Sequence, residues 1–354
     1  MHNRFVQPLV LLLLLVCPVL ADTAPDSDVP VAPIPGTEFK GWTNAFVLSN
    51  PMLEVVIVPA IGRIVSIAPT SGVNLLRMDE SLAGALPAED QAWMNVGGDW
   101  MWPVAQSRWT LMAESDWPPP APLAEAAWEG RAWKSADGAL SCLISREYGE
   151  PLHVKVSRNI KLEAEEARIV IRQKIERTET SDIPVTLWNI SQVGKAAEVI
   201  LPVDENSEFE KGIKALMSDL PGETQLTACD GSVVYETSIG EHKICSDSSR
   251  GWIAARKGGV AVLEKAQPEN GNGAAHPDGG CTVEMYSNAG LGYSEIETLS
   301  VEKVLAPGEI LQNILTIDIL EIPACSHACE MATEIRKALG EVTEPPPAPP
   351  AEPE

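Results

Sequence analysis

From Phe39 to about residue 320, one local pattern governs what this chain can fold into. Short runs of alternating apolar and polar residues are interrupted by Gly, Pro, Asn and Asp. Period-two alternation gives a strand one buried and one wet face, and the interruptions are turn residues. Residues 168–177 show it plainly: Ile169, Ile171 and Ile175 fall on one side, Arg172, Lys174 and Glu176 on the other. The run LEVVIV at Leu53–Val58, a Pro59–Gly62 step and a second run at 63–67 read as a hairpin. Further strands are expected over 139–146, 153–162, 184–193 (with Trp188 in the core), 232–237, 252–255, 260–264, 282–287, 293–300 and 311–320. About a dozen strands with no strand–helix alternation predict an all-β fold, a large antiparallel β-sandwich spanning 39–322 as one domain.

Other stretches depart from this pattern. Residues 79–133 are poor in β-branched runs and rich in Pro, Ala and Trp, and read as long loops over a sheet face. A short helix is expected over 210–217, and residues 267–280 form a polar, glycine-rich loop. A C-terminal helical segment occupies 323–340, with helical spacing over 325–339 and a stop at Gly340.

The two ends have their own signals. Residues 1–21, with an apolar run from Leu9 to Val16 and a small residue at Ala21, read as a secretory signal peptide cleaved after Ala21. That predicts an extracytoplasmic protein, periplasmic or secreted. Val16 and Pro18 around Cys17 are poor context for lipoprotein processing. Residues 22–38 read as a flexible lead-in, and 341–354 as a Pro-rich tail that cannot build a core.

Acidic residues outnumber basic ones 50 to 26, for a net charge of −24, which argues against nucleic-acid or anionic-membrane partners. Past the leader stand Cys142, Cys229, Cys245, Cys281, Cys325 and Cys329. An even set in an exported chain suits disulfides. Cys229 with Cys245 would staple a hairpin, and Cys325 with Cys329 is a local pair. The cluster Cys325, His327, Cys329 is the one arrangement that would suit a metal, but the scattered histidines favour no metal and no cofactor.

The chemistry concentrates at 95–109, NVGGDWMWPVAQSRW, which holds three of the ten tryptophans, a Gly pair, Asp99 and Arg108. Flat indole faces beside polar groups suit a sugar ring, which offers C–H surface to stack and hydroxyls to hydrogen-bond. The same residues would also serve as packing over the core.

Three stretches taken in order carry a family resemblance: VPAIGRIVSIAPTSGVNLL at 58–76, NVGGDWMWP at 95–103, and the run at 281–319 with its Glu-Thr-Leu strand and Leu-Ala-Pro-Gly-Glu turn. Together they resemble the galactose-mutarotase-like β-supersandwich superfamily, and within it the extracytoplasmic branch designated DUF4380. The resemblance implies a supersandwich with a short C-terminal helix, and a sugar cleft on the concave face of the larger sheet. In the mutarotase members a carboxylate base works with histidine acids. By position the base matches Glu297, and strand alternation gives Glu295 the same facing. The histidine expected before the Gly pair is replaced by Asn95 and Val96, and the next histidine is His153. Asn95 and Arg108 cannot donate a proton in that role, and Asp99 could only if strongly desolvated.

The candidate catalytic residue is therefore Glu297. The candidate substrate-binding set is Arg63, Asn95, Asp99, Trp100, Trp102, Arg108, Trp109 and Glu295, with carbohydrate as the partner. Arg63 suits either a fork to a hydroxyl or a rim salt bridge, and Glu284 and Tyr286 are further lining candidates. Three uses stay open: a secreted carbohydrate-binding protein, an epimerase- or mutarotase-like enzyme with Glu297 as base, and a non-catalytic structural or interaction module.

Overall fold

The computed structural model describes residues 29–70, 72–88, 93–115, 117–124, 126–266, 276–323 and 327–342. The leader, Cys17, Cys325, the tail from residue 343 and most of the 267–280 loop lie outside them.

Two antiparallel sheets, of eleven and ten strands, face each other. Alternation along each strand sends one row of side chains inward. In Arg168–Arg177 the isoleucines 169, 171 and 175 are fully buried while Arg168 and Arg172 are exposed. The inward rows of both sheets merge into one core containing Val55, Ile57, Ile64, Ile144, Ile160, Ile171, Ile296 and Ile317.

The strands are more numerous than the sequence pattern suggests, because short ones escape a periodicity test. Pro30–Ile34 pairs with Glu129–Ser135 at the edge of the eleven-stranded sheet, and Thr37–Phe39 pairs with Trp42–Ser49. Much of the expected flexible lead-in is thus strand, and its prolines are tolerated at an edge, where a missing N–H costs no ladder bond. The helix expected over 210–217 is instead a 3-10 turn, Glu210–Gly212, followed by the strand Lys214–Met217, which pairs with Glu241–Ser246. Lys211 and Gly212 both have positive φ there, which ends any helix.

The expected long loop at 79–133 also contains a strand. Asp99–Trp102 lies in the ten-stranded sheet between Arg63–Pro69 and Trp188–Gly194. Gly97 and Gly98 feed it at φ +91 and +87. A Cβ at Gly97 would meet the Arg77 carbonyl at 2.2 Å, and one at Gly98 the Ile64 carbonyl at 2.4 Å. The glycines shape the approach to a central strand, and their tryptophans sit on sheet rather than on loop.

The C-terminal helix runs Ala328–Ala338 and closes at Gly340, φ +72. It buries Met331, Ala332 and Ile335 against Ile200, Val234, Trp252 and Leu263 on the outer face of the eleven-stranded sheet. The disulfides differ from the expected pairs: Cys229 joins Cys329, tying sheet to helix, and Cys245 joins Cys281. A local Cys325–Cys329 pair and a Cys325–His327–Cys329 metal site are both displaced, since Cys329 is taken. Cys142 is reduced and buried, which pushes its thiol up to about 12. Two disulfides fit an oxidising, extracytoplasmic setting. No helix among the described residues is long and apolar enough to cross a membrane.

Candidate functional site: a tryptophan-walled cleft

The outer face of the ten-stranded sheet is covered at one end. There Met78, Leu82, Ala83, Ala85, Met94 and Val96 pack with Trp42, Val56, Val58 and Val65, and the Trp42 indole donates to the Ala85 carbonyl at 2.8 Å. Beside this cover the face opens into a cleft of about 530 Å³. The strands that line it, from Asp99–Trp102 across to Lys214–Met217, all belong to the ten-stranded sheet, so the cleft lies on the smaller sheet rather than the larger.

Cross-strand register builds the floor. Trp100 opposes Ile190, and Trp102 opposes Trp188. Farther across, Gln192 opposes Glu295, Glu295 opposes Tyr286, and Tyr286 opposes Lys243, giving one polar row over four strands. In the next row Glu297 opposes Glu284. Trp93 and Trp117 supply a wall. Trp93 packs against Trp100 and Trp102 at 5.5 and 5.1 Å between centroids, and Trp117 stays half exposed at the rim.

Of the expected residues, Asn95, Trp100, Trp102 and Glu295 line the cleft. Trp109 stands behind it, fully buried, edge-on to Trp102 at 5.1 Å, with its indole donating to the Val104 carbonyl. Arg108 turns away into a forked ion pair with Glu302, at 2.6–3.0 Å. Arg63 is also buried. It donates to the Gly97 carbonyl at 2.8 Å and stacks its guanidinium on Trp100 (4.2 Å) and Trp93 (4.8 Å), stiffening the wall from behind.

Asp99 occupies the other side of its strand. Odd positions of Asp99–Trp102 point between the sheets, where the Asp99 carboxylate meets Arg158 at 2.7 Å, Asn189 at 2.8 Å and Ser191 at 3.1 Å. Gln173 and Glu264 complete this buried network through Asn189. Asp99 therefore tethers one sheet to the other and does not face the cleft.

Glu295 and Glu297 share a face but differ in access. Glu297 is fully buried, and its Oε2 accepts from the Trp188 indole at 2.7 Å and from Lys243 at 3.3 Å. Lys243 also pairs with Glu284 at 2.9 Å. Burial lowers the Lys243 pKa, but Glu284 and Glu297 outweigh it, and the ammonium is held well above its usual value. Glu284 moves up, driven first by burial. Glu295 faces the cleft, and its Oε1 accepts from Gln192 at 2.7 Å. Burial first, then the Glu297 carboxylate, push it up to about 7.

Gln192 is held in turn. Its Nε2 also donates to Asn95 at 3.0 Å, while Arg77 donates to both Asn95 and Gln192 at 3.1 Å. Arg77, Trp93, Trp117, Gln192 and Lys243 were not legible as site residues. Alternation places Gln192 and Lys243 on a face, but which face opens to solvent depends on the cover that Met78, Leu82, Ala83 and Ala85 lay over one end of the sheet. Among the described residues, no group of His, Cys, Asp and Glu is arranged to hold a metal.

Backbone comparison places this architecture. A galactose mutarotase-like protein from Clostridium acetobutylicum superposes with a TM-score of 0.52 at 10% identity, covering 83% of this chain and 99% of that one. The fold is galactose mutarotase-like. A Synechocystis protein superposes at TM-score 0.55 and 11% identity, over 83% of this chain and 99% of its own. At such identity the likeness concerns the galactose mutarotase-like fold alone. No family model matches the chain, and no curated protein matches it.

Proposed function

We propose that this chain is an extracytoplasmic carbohydrate-binding protein that holds a sugar in the tryptophan-walled cleft. The observation that carries the proposal is the pairing of five indoles (Trp93, Trp100, Trp102, Trp117, Trp188) with a polar row of Gln192, Glu295, Tyr286 and Lys243 in one cavity of about 530 Å³. Stacking surface beside a few fixed polar groups is the common form of a small-ligand site, and the volume admits more than one ring. Export through the leader, and placement in the branch designated DUF4380, belong to the same proposal. They rest on the sequence, with the two disulfides supporting the compartment.

Titration with mono- and oligosaccharides, followed by tryptophan fluorescence and calorimetry, tests the proposal. Saturable binding in the wild type that weakens about tenfold in Trp117→Ala supports it. No response to any sugar removes it.

A second reading, a ring-opening epimerase, is favoured by one specific feature: a carboxylate near neutrality facing the cleft. Within that reading the base role moves from Glu297, which is enclosed beneath Lys243 and Trp188, to Glu295. Mutarotation measured on wild type and Glu295→Gln decides it; equal rates in both sink the enzyme.

A further inference from the structure

The cleft is chemically lopsided. One end is indole, while the other gathers Glu241, Glu284, Glu295 and Glu297 on three neighbouring strands around Lys243, the one lining cation among the described residues. Lys243 is already committed at 2.9 Å to Glu284 and 3.3 Å to Glu297. The other two cations nearby are also occupied. Arg63 is stacked behind Trp93 and Trp100, and Arg77 pairs with Asp79 at 3.1 Å beneath the Tyr293 ring. Oε1 of Glu284 and Oε1 of Glu297 are buried acceptors with no hydrogen-bond partner. Glu241 accepts from the Tyr286 hydroxyl at the rim.

Resting on the carbohydrate reading, we propose that the cleft selects a cationic amino sugar, its ring on the indoles and its ammonium toward Glu295. A protonated amine would supply the positive charge that the carboxylate end lacks, and the tryptophan faces favour a cation approaching over them. A neutral sugar would gain the stacking without the charge complement. A sugar acid would meet Glu295 and Glu241 directly. The charge of −24 over the chain also steers cations toward the protein.

The groups that face Glu295 are Glu297 on its own strand, Gln192 across one edge, Tyr286 across the other, and Lys243, Arg63 and Tyr293 nearby. Burial first, then the Glu297 carboxylate, hold Glu295 partly protonated at neutrality; a bound cation favours the ionised form. Cation preference therefore grows with pH, and binding near neutrality releases protons.

The test uses the full chain and four probes: glucosamine oligosaccharides, their N-acetylated counterparts, N-trimethylglucosamine, whose charge does not titrate, and choline. Expected is at least about fivefold tighter binding of the cationic over the acetylated oligosaccharides. That ratio should fall to within about twofold in Glu295→Gln, whatever the change in absolute affinity for the acetylated form. For N-trimethylglucosamine, affinity should rise between about pH 5.5 and 8.5 in wild type and stay flat in Glu295→Gln. Equal or tighter binding of the acetylated sugars overturns cation selection and leaves the carbohydrate reading standing. Binding of choline with no sugar, or no binding at all, overturns both.

Discussion

Arg158 lies between two sheets with no route to water, and its stability rests on Asp99 and Asn189 from the facing sheet. Stripping solvent from a guanidinium is costly, so removing either member leaves the other charge uncompensated. Arg158→Met should destabilise the fold by about 3–5 kcal/mol, read from urea unfolding. Arg158→Met combined with Asp99→Leu should recover a good part of that loss, since both charges then go. A double variant no better than the single would show that the pair carries no coupling. The same residue marks a limit of sequence reasoning. Asp99 sits beside Trp100 in a sugar-like motif, and only strand parity, invisible while the segment reads as loop, turns it inward. Glu295 and Glu297 were legible because their strand is long enough to show its alternation. Which of them meets ligand was not, because the choice is made by Lys243 and Trp188 from other strands.

At the scale of elements, the short central strand Asp99–Trp102 is held in place by the Gly pair before it. Gly98 sits at φ +87 with Ile64 backbone where a side chain would go. Gly98→Ala should therefore cost about 2–4 kcal/mol and displace Trp100 and Trp102, weakening ligand-induced quenching as well as stability. Unchanged urea midpoint and quenching would contradict that role. The long strands and the helix were readable because each carries a full period of its pattern. The edge strands Pro30–Ile34 and Thr37–Phe39 were not, since they hold few residues and take their structure from partners far along the chain. Disulfide partners were hidden for a related reason. Cys229 and Cys329 are 100 residues apart and meet only once the helix docks on the sheet. Closing so long a loop constrains the unfolded chain strongly, so Cys329→Ser should cost about 2–4 kcal/mol. Faster amide exchange at Met331 and Ile335 is the expected companion signal; exchange that stays unchanged would show the helix is held by packing alone.

For the whole molecule, stability should decline at both ends of the pH scale, for opposite reasons. Burial pushes the Asp204 carboxyl up, but hydrogen bonds from Ser248, Ser249 and Arg250 outweigh it, and its net shift is downward. Its contribution is present above the ordinary carboxylate range and fades as pH falls. Glu264 behaves in reverse. Burial between the sheets, then the Asp99 carboxylate, raise it to about 8. The folded state thus holds this proton more tightly than the unfolded chain does. The stability it lends is complete below about pH 4.5, the unfolded value, and is lost progressively as pH rises to about 8. Glu295, raised to about 7, adds to the same decline. Glu264→Gln keeps a neutral side chain beside Asn189 and removes the cost of ionising it. The variant should match wild type within about 1 kcal/mol near pH 4.5 and exceed it by on the order of 2–4 kcal/mol near pH 9. Urea midpoints measured across that range decide the point. Parallel curves for wild type and variant would mean that Glu264 binds its proton equally in the folded and unfolded chain, and would overturn this role.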